Sequence, residues 1–146
     1  PTDSDFSWNV LSLDGDNIIA VSSSPVDVPQ IKYGILDKAT ENASWSWLNV
    51  SSPIFKCSEK VKSLLSNCQF EIIKITVKDV SDNLTEGARR PFEAIFVSSN
   101  TKINDACEPL IVVLHGGPHS VSVTSFSKSL AFLSSIGFNL LIVNYR

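Results

Sequence analysis

Pro109-Leu110-Ile111-Val112-Val113-Leu114-His115-Gly116-Gly117-Pro118 is the stretch on which the fold turns. Five apolar residues in a row, with no polar alternation, describe a strand covered on both faces by helices rather than one with a wet side. The run breaks at two glycines and a proline, which is a sharp turn out of the strand. Downstream, Phe126, Leu130 and Leu133 recur at i, i+4 and i+7, and Gly137 stands where a helix would end at a C′ glycine. Leu140-Leu141-Ile142-Val143 then repeats the unbroken apolar pattern. Strand, helix, strand at this spacing predicts a βαβ unit with parallel pairing and a right-handed crossover.

Upstream of that unit, Ile73, Ile75 and Val77 alternate with Lys74, Thr76 and Lys78, and Phe92 to Val97 forms a second run after a polar region holding Gly87 and Pro91. These two runs are expected to pair as a long hairpin. Residues 53–70 read as a linker that starts at Pro53. Within it, Val61, Leu64 and Leu65 after a possible N-cap at Ser58 give at most two turns of amphipathic helix. The first third is different. Phe6, Trp8 and Val10 alternate with polar residues, Asp14-Gly15-Asp16-Asn17 supplies a tight turn, and Ile18 to Val21 returns. Gln30 to Leu36 and Trp45 to Val50 come next as third and fourth strands. Four short strands in series make a β-meander of the size of one propeller blade, which cannot bury its own faces.

Composition narrows the function. Of 146 residues 43% are hydrophobic and 18% charged, which excludes a disordered chain, and a net charge of -3 leaves no basic surface for nucleic acid. The apolar runs are far short of the roughly 18 residues of a membrane helix. The acidic, polar start Pro1-Thr2-Asp3-Ser4-Asp5 is not a secretory signal. A chain without a single Met is expected to be a piece of a longer protein. Cys57, Cys68 and Cys107 are odd in number and widely spaced, so they are expected to be reduced, buried thiols of a cytoplasmic protein. The sequons at Asn42, Asn49 and Asn83 carry little weight without a signal peptide.

The turn after the apolar strand is the candidate site, because ligands of open α/β sheets sit at the carboxyl ends of the strands. Paired glycines let main-chain N–H groups approach a substrate closely, as in the HGGG-type oxyanion loops of lipases and esterases. Losing one such donor adds about 2.7 to 4 kcal/mol to the barrier. A glycine-rich turn with no catalytic task explains the same residues. His115 and His119 stand four apart, but Gly116, Gly117 and Pro118 preclude the helix that would turn both toward one zinc ion. No metal and no cofactor is expected. His115 has no nucleophile to serve as a base and is expected to support the loop by hydrogen bonds. The sequence holds no G-x-S-x-G, no P-loop and no G-x-G-x-x-G.

The run from Pro109 to Pro118, a helix, and then Leu141-Ile142-Val143-Asn144-Tyr145-Arg146 resembles the prolyl oligopeptidase group of serine peptidases. Within that group the likeness is to the plant form of those members that remove N-acylated residues from short peptides. Ser22-Ser23-Ser24-Pro25 with Pro29-Gln30-Ile31-Lys32-Tyr33 is similar to the last propeller blade of the family, so the resemblance spans nearly the whole chain. It implies an α/β plus all-β fold: the last β-propeller blade over 1–52, a linker over 53–70, and the N-terminal part of an α/β-hydrolase domain over 71–146. It also implies an oxyanion-hole role for Gly117, with Gly116 next in line and His115 and Pro118 supporting the loop. In the family the Ser-Asp-His triad comes after the NYR segment, so none of it is in this sequence and the segment alone is expected to be inactive. A short N-acylated peptide is the substrate so implied, with no nucleic-acid or membrane partner and a homo-oligomeric parent among the options. The alternatives are an esterase or lipase of the same class, and a non-catalytic interaction module. The strand 109–114 would also leave an apolar edge unpaired, making the isolated segment poorly soluble.

Overall fold

A computed structural model describes residues 5–38, 44–50, 59–76, 90–99, 108–117 and 119–145. Two four-stranded sheets hold just over half of the described residues. The first is a meander of β1 (Ser7–Asp14), β2 (Asn17–Ser23), β3 (Gln30–Asp37) and β4 (Ser44–Val50), every strand antiparallel to the one before it. The turn from β1 to β2 works as its residues dictate. Gly15 takes φ +56, and Asn17 Nδ2 donates to the Asp14 carbonyl at 3.4 Å. Lys38 reaches back to Asp16 at 2.6 Å across exposed surface. A bulge between Val10 and Ser12 shifts the register of β1, so the strict alternation that Phe6, Trp8 and Val10 announce holds only for the first half of the strand.

The second sheet has the order β5-β6-β8-β7, built from β5 (Cys68–Ile75), β6 (Phe92–Ser99), β7 (Leu110–Leu114) and β8 (Asn139–Asn144). β5 and β6 are the expected hairpin, and β7 and β8 pair parallel through the helix between them. β6 joins the two halves by pairing antiparallel with β8. β5 begins at Cys68, inside the stretch that reads as linker, after α1 (Glu59–Ser66). Val77, Ser58, Pro53, Gly87, Cys57, Cys107, Asn42 and Asn83 lie outside the described residues.

The core is the face of this sheet that the helices cover. Ile95, Val97, Leu140 and Ile142 are buried there, with Phe70, Ile111, Val113, Leu130 and Leu133 packed around them. The helix after β7, α2 (Lys128–Ser135), starts two residues later than the apolar spacing from Phe126 predicts. Phe126 instead donates its main-chain N–H to Ser23 Oγ at 3.2 Å, and Ser127 takes the N-cap position. Gly137, at φ +100, ends the helix as expected. Its N–H bonds the Ser134 carbonyl and that of Phe138 bonds Leu133, the paired bonds of a Schellman cap. Cys68 is a buried free thiol, 3.4 Å from Ser134 Oγ, which fits the expected reduced state.

One expectation is corrected. β7 is not covered on both faces: Leu110, Val112 and Leu114 are 52%, 53% and 65% exposed, while Ile111 and Val113 point into the core. α1 and α2 contact each other, α2 packing on β6 and β8 and α1 on β5, while the outer side chains of β7 stay exposed among the described residues. Among the described residues β7 is also an edge strand with β8 as its single neighbour, as expected from the unpaired apolar edge. In β8, Leu140 and Ile142 are buried and Leu141 and Val143 only half-buried.

The two sheets meet through the end of β2. Ser22, Ser23 and Ser24 are buried, and Ser24 closes a turn in which its Oγ donates to Asp27 Oδ2 at 2.6 Å and accepts the N–H groups of Val26 and Asp27. That turn pushes Val26 against the core of the second sheet.

Candidate active site

Parallel pairing of β7 with β8 sets Leu114 beside Val143, so the residues just past the end of one strand lie next to those just past the end of the other. His115-Gly116-Gly117 leaves β7, and Asn144 ends β8 with Tyr145 just after it. This is the carboxyl end of the strands, the side of an open α/β sheet that receives ligands. Gly117 adopts φ +84, a backbone that a Cβ would strain, and its carbonyl accepts the Ser120 N–H at 3.3 Å. Gly116 needs no such freedom for its own conformation, and a Cβ there would meet nothing within 4 Å. Both glycines are exposed.

His115 opens the turn directly after β7. Neither imidazole nitrogen has a hydrogen-bond partner among the described residues, although both are buried. The ring stacks on that of Tyr145 at 4.4 Å between centroids and 7° between planes, and the Tyr145 hydroxyl donates to the His115 carbonyl. The histidine is held by its face and its main chain. Pro118 lies outside the described residues, as does Arg146. His119 is exposed, and no cluster of His, Cys, Asp or Glu fit to hold a metal ion occurs among the described residues. No helix among them is long and apolar enough to cross a membrane.

Sequence reasoning passes over what Asn144 and Tyr145 do, though both belong to the NYR motif. Asn144 clamps the segment after the glycine turn. Its Oδ1 accepts the Ser122 N–H at 2.7 Å and its Nδ2 donates to the Ser122 carbonyl at 2.9 Å, so one side chain stands in for a strand partner. The signal available is position: a polar and an aromatic residue at the carboxyl end of an apolar strand, beside the glycine turn. Asn144→Leu keeps the volume and strips both bonds. Leaving the half-buried Ser122 groups unpaired is expected to cost about 1–3 kcal/mol, read as a lower urea midpoint with an unchanged m value. An unchanged midpoint would show that water replaces the clamp freely.

A cavity of about 560 Å³ opens beside the clamp, lined by Lys74, Arg90, Phe92, Glu93, Ser122 and Tyr145. A second, of about 290 Å³, lies between Pro25 of the Ser24 turn and Val113, Val123, Leu130 and Ile142. The first is the one that borders the site, through Tyr145.

The N-terminal domain model of the acylamino-acid-releasing enzyme matches residues 1–62. Over its full length the chain is 60% identical to the acylamino-acid-releasing enzyme of Arabidopsis thaliana and 53% identical to acylamino-acid-releasing enzyme 2 of Oryza sativa subsp. japonica. It covers 19% of each. The human acylamino-acid-releasing enzyme is 30% identical over 96% of the chain, which spans 18% of that relative. Among solved structures, the acylaminoacyl peptidase of Pyrococcus horikoshii superposes with a TM-score of 0.61 over 98% of this chain and 19% of its own, at 12% identity. A prolyl endopeptidase does so with a TM-score of 0.59 over 95% of this chain and 18% of its own, at 16% identity. Those two likenesses speak to fold, and the plant relatives speak to sequence. Together they make these residues, a stretch about a fifth as long as the relatives they match, similar from end to end to acylamino-acid-releasing enzymes.

Proposed function

We propose that the chain is the segment of an acyl-transfer serine peptidase in which the main-chain N–H of Gly117, with Gly116 beside it, forms part of the oxyanion hole. In this reading residues 1–52 are the last propeller blade, 53–70 a linker, and 71–146 the start of an α/β-hydrolase domain. Both faces of the meander carry partly exposed apolar side chains, such as Val10 and Leu13 on one and Ile19 and Leu48 on the other, as suits a blade between neighbours. The observation that carries the reading is Gly117 at φ +84, exposed at the carboxyl end of β7 and beside β8.

The chemistry that goes with this reading is acyl transfer through a covalent intermediate. A seryl oxygen supplied from outside these residues attacks the carbonyl carbon of the N-acylated residue, and a histidine base takes its proton. The carbonyl electron pair moves onto oxygen, where the Gly117 N–H donates to the new negative charge. Collapse expels the peptide amine with the proton from the histidine, and water completes the cycle on the acyl-enzyme. The substrate is a short N-acylated peptide, the compartment the cytoplasm, and no cofactor takes part. His115 and Pro118 support the loop, and the parent is free to assemble as a homo-oligomer.

The test is a chimera in which this chain replaces the matching stretch of the Arabidopsis thaliana relative. It is expected to hydrolyse an N-acetyl-amino-acid p-nitroanilide at a rate within about tenfold of that relative, while the segment alone releases no burst. A folded chimera without activity would overturn the reading.

A further inference from the structure

The geometry points to Tyr145 as a positioning residue for the Gly116 N–H, the second oxyanion donor, acting through the peptide unit between His115 and Gly116. This inference rests on the proposed function of the glycine turn.

A peptide unit is planar, and no cis peptide bond occurs among the described residues, so the His115 carbonyl and the Gly116 N–H lie in one plane and point opposite ways. Whatever fixes the carbonyl oxygen therefore aims the N–H. The Tyr145 hydroxyl donates to that oxygen. It does so from a tyrosine held in three ways: by the parallel pairing of β8 with β7, by stacking on the His115 ring at 4.4 Å, and by the neighbouring Asn144 clamp on Ser122. The turn itself has little else to stiffen it. Gly116 and Gly117 are adjacent, exposed and without side chains, and two glycines in a row have the widest conformational freedom a chain can offer. An oxyanion hole works because its donors are already aimed before charge develops, so a turn this free needs an external brace. The same bond draws electron density toward the carbonyl oxygen, which makes the opposite N–H a better donor.

Tyr145 touches neither substrate nor nucleophile in this scheme, and its effect is on orientation. In the chimera described above, Tyr145→Phe keeps the ring and its stack but loses the hydroxyl. It is expected to lower kcat about tenfold, with KM within twofold and the melting midpoint unchanged. Tyr145→Leu, which loses the stack as well, is expected to lower kcat further. A Tyr145→Phe enzyme with kcat within twofold of its parent, or one in which KM rises and kcat holds, would overturn the inference and leave the peptidase reading standing. A folded chimera that hydrolyses nothing with Tyr145 in place would take both down.

Discussion

Gly117→Val is expected to lower kcat of the chimeric enzyme by about 10²-fold or more, while Gly116→Ala lowers it less than tenfold. The contrast comes from two neighbouring glycines that differ in what they ask of the backbone. Gly117 sits at φ +84, where a branched Cβ is a genuine outlier, so valine there must rotate the adjoining peptide planes to relieve the strain. Rotating those planes turns the N–H away from the position of the developing oxyanion. Removing one such donor is worth about 10² to 10³ in rate. Gly116 has no positive φ and open space where a Cβ would stand, so alanine leaves its peptide planes where they are. Single-turnover rates with a chromogenic acyl substrate separate the two cases. Equal losses at both positions would mean that access to the turn, rather than its backbone conformation, is what the glycines provide.

The largest effect on stability is expected at Gly34→Val, about 3 kcal/mol. Gly34 is buried in the middle of β3, opposite Ile18 of β2 and Trp47 of β4. A Cβ there would lie 2.5 Å from Ile18 Cγ2 and 2.9 Å from the Trp47 ring, well inside van der Waals contact. The indole cannot simply swing aside. It packs against Trp8 with centroids 4.8 Å apart and against Trp45 at 6.2 Å. The glycine is thus the space the ring occupies, the arrangement by which an aromatic covers a bare stretch of strand. Urea unfolding monitored by tryptophan fluorescence should show both a lower midpoint and altered native emission, because the same ring reports on the clash. An unaltered midpoint would mean the sheet absorbs the extra carbons by a shift that the packing of Trp8, Trp45 and Trp47 gives no sign of.

What the sequence disclosed depends on how local the cause was. The meander, the hairpin of β5 and β6 and the parallel pair of β7 and β8 were all legible, since alternation, turn glycines and a C′ glycine act within a few residues. Gly137 could be assigned its cap from neighbours alone. The apolar run of β7 misled because it records the surroundings a strand is suited to, and Leu110, Val112 and Leu114 have a bare face among the described residues. The start of α2 was missed because the Phe126 N–H is claimed by Ser23, a residue 103 positions earlier, and no local pattern signals such a bond. At the site, the glycines were visible from their chemistry. The brace from Tyr145 and the clamp from Asn144 were not, because both depend on register between β7 and β8.

The order β5-β6-β8-β7 also sets a timetable. In the first sheet each strand pairs with the one just made, so the meander can close strand by strand as the chain leaves the ribosome. In the second, β6 has to wait for its partner until β7 and α2 have been synthesised, and only the arrival of β8 completes it. Until then the apolar edge of β6 stands open, and this interval is when the nascent chain most needs a chaperone's cover.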